Sequence, residues 1–169
     1  HCDRGLTPKN FLEKYVGNDF DDYVVIISSP IHEIDRTYCQ PFMGDVVEDN
    51  MFWLNLSQEE LEDLTIRQLQ AGEGVMFSCD CHPDGDRANG YWDPDCFQYG
   101  EVLGGLTFHM TKAERLLTRD STMNHCMMFC GVNLEENGTA NRWKIENSWG
   151  DASGQKGYYI GSEKWFKAN

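Results

Sequence analysis

The spacing of apolar residues changes period along the chain, and each change marks an element. Behind Thr7, a capping residue, and Pro8 at a first helical position, Phe11, Leu12, Tyr15 and Val16 form a helical stripe that Gly17 ends. Tyr23-Val24-Val25-Ile26-Ile27 is a β-branched run and predicts a strand closed by Ser28-Ser29-Pro30. Residues 31–50 are acidic and without period, which predicts an irregular loop. Ser57 and Glu60 form a capping box ahead of Leu61, Leu64, Thr65, Gln68 and Leu69, so a helix is expected to Ala71 with Gly72 as its stop. Val75-Met76-Phe77-Ser78-Cys79 follows as a strand.

A second capping box, Thr111 with Glu114, opens a short helix through Leu116 and Leu117. The loop from Thr118 to Asn124 then delivers His125 to the head of the strand Cys126–Val132. Asn137-Gly138 lies in a turn before the strand Trp143–Asn147, and Gly157-Tyr158-Tyr159-Ile160 is a further strand. Ser162 opens a final turn carrying Trp165 and Phe166. Strands dominate this half, so the expected class is α+β, an antiparallel sheet or half-open barrel with flanking helices. At 169 residues and 40% hydrophobic content, one core is expected.

The pairing of those two strands gives the pattern its chemistry. A hairpin between them puts His125 and Asn147 at the same end, where the amide oxygen can accept a hydrogen bond from the imidazole and fix its orientation. Alone, such a histidine is more often structural and such an asparagine more often a cap. The run Arg142-Trp143-Lys144-Ile145-Glu146-Asn147-Ser148-Trp149-Gly150 alters those odds, because it resembles the setting of the orienting asparagine in Cys-His-Asn peptidases. Cys126 is no nucleophile for His125, since consecutive strand residues face opposite sides. It is expected, with Cys130, to pack away from the imidazole as a buried, unreactive thiol.

Asn-Ser-Trp-Gly followed by Gly157-Tyr158 resembles the papain superfamily of cysteine peptidases. Glu146, the segment Met110–Leu116, Thr7-Pro8-Lys9-Asn10-Phe11 and Gln68-Leu69-Gln70-Ala71-Gly72-Glu73 narrow the resemblance to bleomycin hydrolase and the bacterial aminopeptidase C group, from Thr7 to Phe166. The group usually carries threonine at position 124 and a small residue at 126, where this chain has Asn124 and Cys126. The resemblance implies a papain-like fold, with residues 1–169 as the C-terminal part of the peptidase domain, mainly its sheet subdomain. It implies cleavage of amide bonds near peptide N-termini. His125 and Asn147 would be catalytic, with Trp149 covering their hydrogen bond. The nucleophilic cysteine and an oxyanion-hole glutamine would lie in an N-terminal half outside this chain, so the isolated chain is expected to be inactive. Peptide substrates, that missing half and a homo-oligomer, a hexamer in the resembling group, are the implied partners, and the tail that restricts cleavage to peptide ends in the group would fall beyond Asn169. The alternative is a catalytically incomplete peptidase-like domain with a binding or structural role.

Composition narrows the remaining choices. A net charge of −14, with fourteen dispersed Lys and Arg, argues against nucleic acid, and no apolar run approaches membrane-spanning length. Seven cysteines cannot all pair and follow no framework, which suggests reduced thiols and a cytoplasmic setting. Cys79, Cys81, His82 and Cys96 form the rival site, a zinc set whose Cys-x-Cys spacing is too short for the common pattern, so no metal or other cofactor is expected. Asp84, Asp86, Asp93 and Asp95 do not fit a calcium loop, and His32, His82 and His109 read as surface or packing residues. Asn55-Leu56-Ser57 and Asn137-Gly138-Thr139 match the glycosylation pattern but read as ordinary turn and cap residues.

Overall fold

The computed structural model describes residues 2–17, 22–40 and 51–169. These form two sheets. The larger takes strands in the order β4 (Val75–Cys79), β7 (His125–Leu134), β8 (Ala140–Glu146), β9 (Tyr158–Ser162), β6 (Tyr91–Trp92) and β5 (Gly85–Asp86). Its pairings are antiparallel except for β6 beside β9, which run parallel. A smaller sheet sets β3 (Met51–Asn55) between β1 (Val25–Ile27), parallel to it, and β2 (Arg36–Gln40), antiparallel to it.

The smaller sheet corrects the reading of residues 31–50 as wholly irregular: Arg36–Gln40 is a strand, while 41–50 lie outside the described residues. Its cause is tertiary. Asn55 ends β3 fully buried, accepts a hydrogen bond from Ser29 N–H at 2.8 Å, and turns its amide toward the carbonyls of Ser29, His32 and Glu33. That side chain staples the turn between β1 and β2 onto β3, so Asn55 is a core fastener rather than a turn or cap residue. The strand expected from Tyr23 starts at Val25, leaving Tyr23 and Val24 exposed. The first helical stripe is one short α-turn, α1 (Pro8–Phe11), continued as a π-turn over Leu12–Val16 and stopped at Gly17.

Both capping boxes form. Ser57 and Glu60 cap α2 (Gln58–Gln70), which is followed by Gly72 at φ 88°; Thr111 and Glu114 cap α4 (Lys112–Thr118). A single turn, α3 (Tyr99–Val102), lies in the segment before α4, and Ser162 caps α5 (Glu163–Ala168). The core sits on the inward face of the large sheet, built from Met127, Phe129, Trp143, Ile145 and Tyr159, with Trp165 and Phe166 of α5 beneath it. Rings stack within it: Phe77 on Phe129 at 3.7 Å, Trp143 on Phe166 at 4.3 Å, and Trp92 on Tyr159 at 4.2 Å. Leu61, Ile66 and Leu69 of α2 close one side. Among the described residues no helix is long and apolar enough to cross a membrane.

Candidate functional site

The site stands at one end of the β7–β8 hairpin. β7 begins at His125, and β8 ends at Glu146, so Asn147 is the first residue past the strand. Opposite register partners Phe129 and Ile145 set the alignment, and a shift at Cys130 bends the ribbon beyond them. Asn147 is held by its own N–H, which donates to the Gly157 carbonyl at 3.1 Å.

At that end His125 Nε2 lies 2.8 Å from Asn147 Oδ1. The proton can be assigned by elimination. Ser148 N–H donates to the same Asn147 atom at 2.8 Å, and a backbone N–H can only donate, so that atom is the oxygen. Nε2 therefore carries the hydrogen, and the lone pair on Nδ1 is left to accept a proton from elsewhere. This is the tautomer a general base requires.

Trp149 covers the pair. Its ring lies 4.8 Å from the imidazole at an interplanar angle of 19°, and it meets the edge of buried Tyr159 at 5.9 Å. The Arg87 guanidinium sits 4.0 Å over the Trp149 ring, a cation on an aromatic face in a strongly acidic chain. Asn147 Nδ2 is buried with no hydrogen-bond partner among the described residues.

No thiol among the described residues hydrogen-bonds the imidazole. Cys126 lies on the opposite face of β7, its sulfur 2.8 Å from Ser78 Oγ across the β4–β7 pair. Both Cys126 and Cys130 are exposed, which corrects the expectation of buried packing: the outer face of this ribbon is uncovered in the chain. The sulfur that shares His125's face is that of Cys79, its direct register partner on β4, which the spacing of the sequence does not disclose. Burial pushes the Cys79 thiol far up, with Cys81 and Asp80 adding to the effect, so it stays protonated. Activated thiols are shifted the other way.

The rival metal set does not assemble. Cys79 and Cys81 are part of the core, whereas Cys96 and His82 are exposed. Among the described residues no three His, Cys, Asp or Glu side chains gather as a ligand group.

Comparison with known proteins places this geometry in a lineage. The chain is 42% identical to aminopeptidase E of Lactobacillus helveticus over 98% of its length, and 40% identical to aminopeptidase W of Lactobacillus delbrueckii subsp. lactis over 99%. It superposes on the crystal structure of PepW from Lactobacillus rhamnosis HN001 with a TM-score of 0.93 at 40% identity over 99% of the chain. It spans 38% of the length of each of these three proteins. With such relatives, a papain-like α+β architecture and a family model matched across residues 1–169, the chain belongs to the Peptidase C1-like family.

Proposed function

We propose that this chain supplies the histidine and asparagine of a cysteine-type aminopeptidase whose nucleophilic thiol comes from an N-terminal half. The supporting observation is the 2.8 Å bond between His125 Nε2 and Asn147 Oδ1 under the Trp149 ring. The names of the relatives, aminopeptidases E and W, supply the reaction class.

In this reading His125 Nδ1 takes the proton of the incoming thiol as its sulfur attacks the amide carbonyl. The carbon–nitrogen bond then breaks, and the same proton passes to the leaving amine. Water, deprotonated by the imidazole, attacks the thioester and frees the acid and the thiol. Asn147 keeps the ring in one tautomer through both halves of the cycle, and Trp149 shields that bond from water, where an exposed one has little net strength.

The test compares the isolated chain with the whole polypeptide on aminoacyl-amide substrates. General-base catalysis alone contributes about 10²–10⁴-fold, so the isolated chain is expected to show no turnover. The whole polypeptide is expected to be active and to lose activity with His125→Ala. Thiol-dependent turnover by purified isolated chain, lost with Cys79→Ser, would mean that this chain carries its own nucleophile and would overturn the division of labour.

A further inference from the structure

The strand that presents His125 is launched from an unusual anchorage. Asp80, the residue after β4, is 7% exposed, a depth at which an unpaired carboxylate costs several kcal/mol. It is satisfied by donors from two segments. Asn124 Nδ2 donates to Asp80 Oδ1 at 2.6 Å, His82 N–H to the same oxygen at 3.2 Å, and Thr122 N–H to Oδ2 at 3.4 Å. Asn124 is held at three further points: its Oδ1 accepts from Cys81 N–H at 3.2 Å, its own N–H donates to the Cys79 carbonyl at 3.1 Å, and its Nδ2 lies 3.4 Å from His82 Nδ1. The residue before the imidazole is thus tied by side chain and backbone to residues 79–81, while its loop, Thr118–Asn124, otherwise carries no regular structure beyond the end of α4.

We propose that Asp80 is a positioning residue for His125, acting through Asn124: the clasp fixes the first residue of β7 so that the imidazole meets Asn147 in one place. The carboxylate accepts the shortest bond of the clasp, and the amide it orients is one peptide unit from the ring that has to be placed. Displacement of a reacting group by about 1 Å costs up to about 10²-fold in rate, so a clasp that removes such freedom has a catalytic consequence without touching substrate. The backbone supplies part of this restraint, through the pairing of His125 with Cys79 and the Asn124 N–H bond to the Cys79 carbonyl, and the Asp80–Asn124 clasp adds the side-chain part. The inference rests on the peptidase reading only in treating His125 as the base.

The test reads the ring directly, so it stands whether or not turnover is found. In the 169-residue chain the His125 Nε2–H, bonded to Asn147, is expected as a slowly exchanging ring proton in long-range ¹H–¹⁵N spectra. Asn124→Ala and Asp80→Ala are each expected to speed its exchange by about tenfold or more, and the double variant by no more than the worse single one, because both break one linkage. Asp80→Asn keeps an oxygen for Asn124 and is expected to retain most of the protection; if Asp80→Ala does not fold, Asn124→Ala carries the test. In the whole enzyme the same variants lower kcat with KM nearly unchanged. Folded Asn124→Ala with an unaltered ring proton and unaltered kcat overturns the proposal, as do additive effects of the two alanine substitutions.

Discussion

Replacing Asn55 by aspartate changes one atom and is expected to be worse than removing the side chain. Asn55 Oδ1 accepts from Ser29 N–H at 2.8 Å, and Nδ2 faces the carbonyls of Ser29, His32 and Glu33 at 3.1, 3.2 and 3.1 Å. An amide nitrogen has two hydrogens, so one of them is shared and the site holds about three full bonds. At about 1 kcal/mol net per bond, with carbonyls left partly unsatisfied, Asn55→Ala should destabilise by about 2–4 kcal/mol, which lowers Tm by about 5–15 °C in a domain of this size. Asn55→Asp keeps the bond from Ser29 but sets a carboxylate oxygen against the three carbonyls, in a side chain with no exposed surface. Burying an ion among acceptors costs more than losing the bonds. Urea titration followed by far-ultraviolet circular dichroism ranks the variants. An aspartate variant at least as stable as the alanine one at neutral pH, or an alanine variant within about 0.5 kcal/mol of the parent, would refute the account of the staple.

Cys126 lies exposed on the face of β7 away from His125, so it should alkylate readily in the isolated chain while buried Cys79 resists, and His125→Ala should leave the Cys126 rate unchanged. Quantitative mass spectrometry of labelled peptides reads this, and a rate that collapses with His125→Ala would place the two on one face. Lys112, whose ammonium donates to Gln58 Oε1 at 3.2 Å, is brought down to about 8 by burial and by the neighbouring Arg115 charge. Because its folded value lies below the unfolded one of about 10.4, the unfolded chain binds more protons between pH 8 and 10.4. The Lys112 contribution to stability therefore rises across that window, and below it a charging penalty is fully present. Lys112→Met should be more stabilising at pH 7 than at pH 10, and an equal effect at both pH values would contradict that ionisation.

The sequence discloses the local half of this molecule and conceals the long-range half. Capping boxes are written within four residues, so Ser57 with Glu60 and Thr111 with Glu114 locate both helix starts. The β7–β8 hairpin is nearly as local, and alternation along it decides which side of the ribbon His125 and Cys126 occupy. Alternation says nothing about what covers a face, which is why it gives the side of the ribbon that Cys126 and Cys130 occupy but not their exposure. Residues 36–40 have too few apolar positions to announce a strand, and they become one because Asn55 ties down the turn that precedes them.

The same division runs through the candidate site. His125, Asn147 and Trp149 lie on adjoining segments of one hairpin, and the Asn-Ser-Trp-Gly run marks two of them outright. Asp80 is 44 positions from Asn124, in a stretch whose cysteines and histidine invite a metal reading. The fold separates the residues of that stretch: Cys79 and Cys81 enter the core while His82 and Cys96 stay exposed, and the carboxylate between the two core thiols is bonded to Asn124. A motif that looks like a ligand set in one dimension becomes, once β4 and β7 pair, the footing of the strand that carries the imidazole. Such a footing leaves no short sequence signature, because its two halves meet only when the sheet has formed.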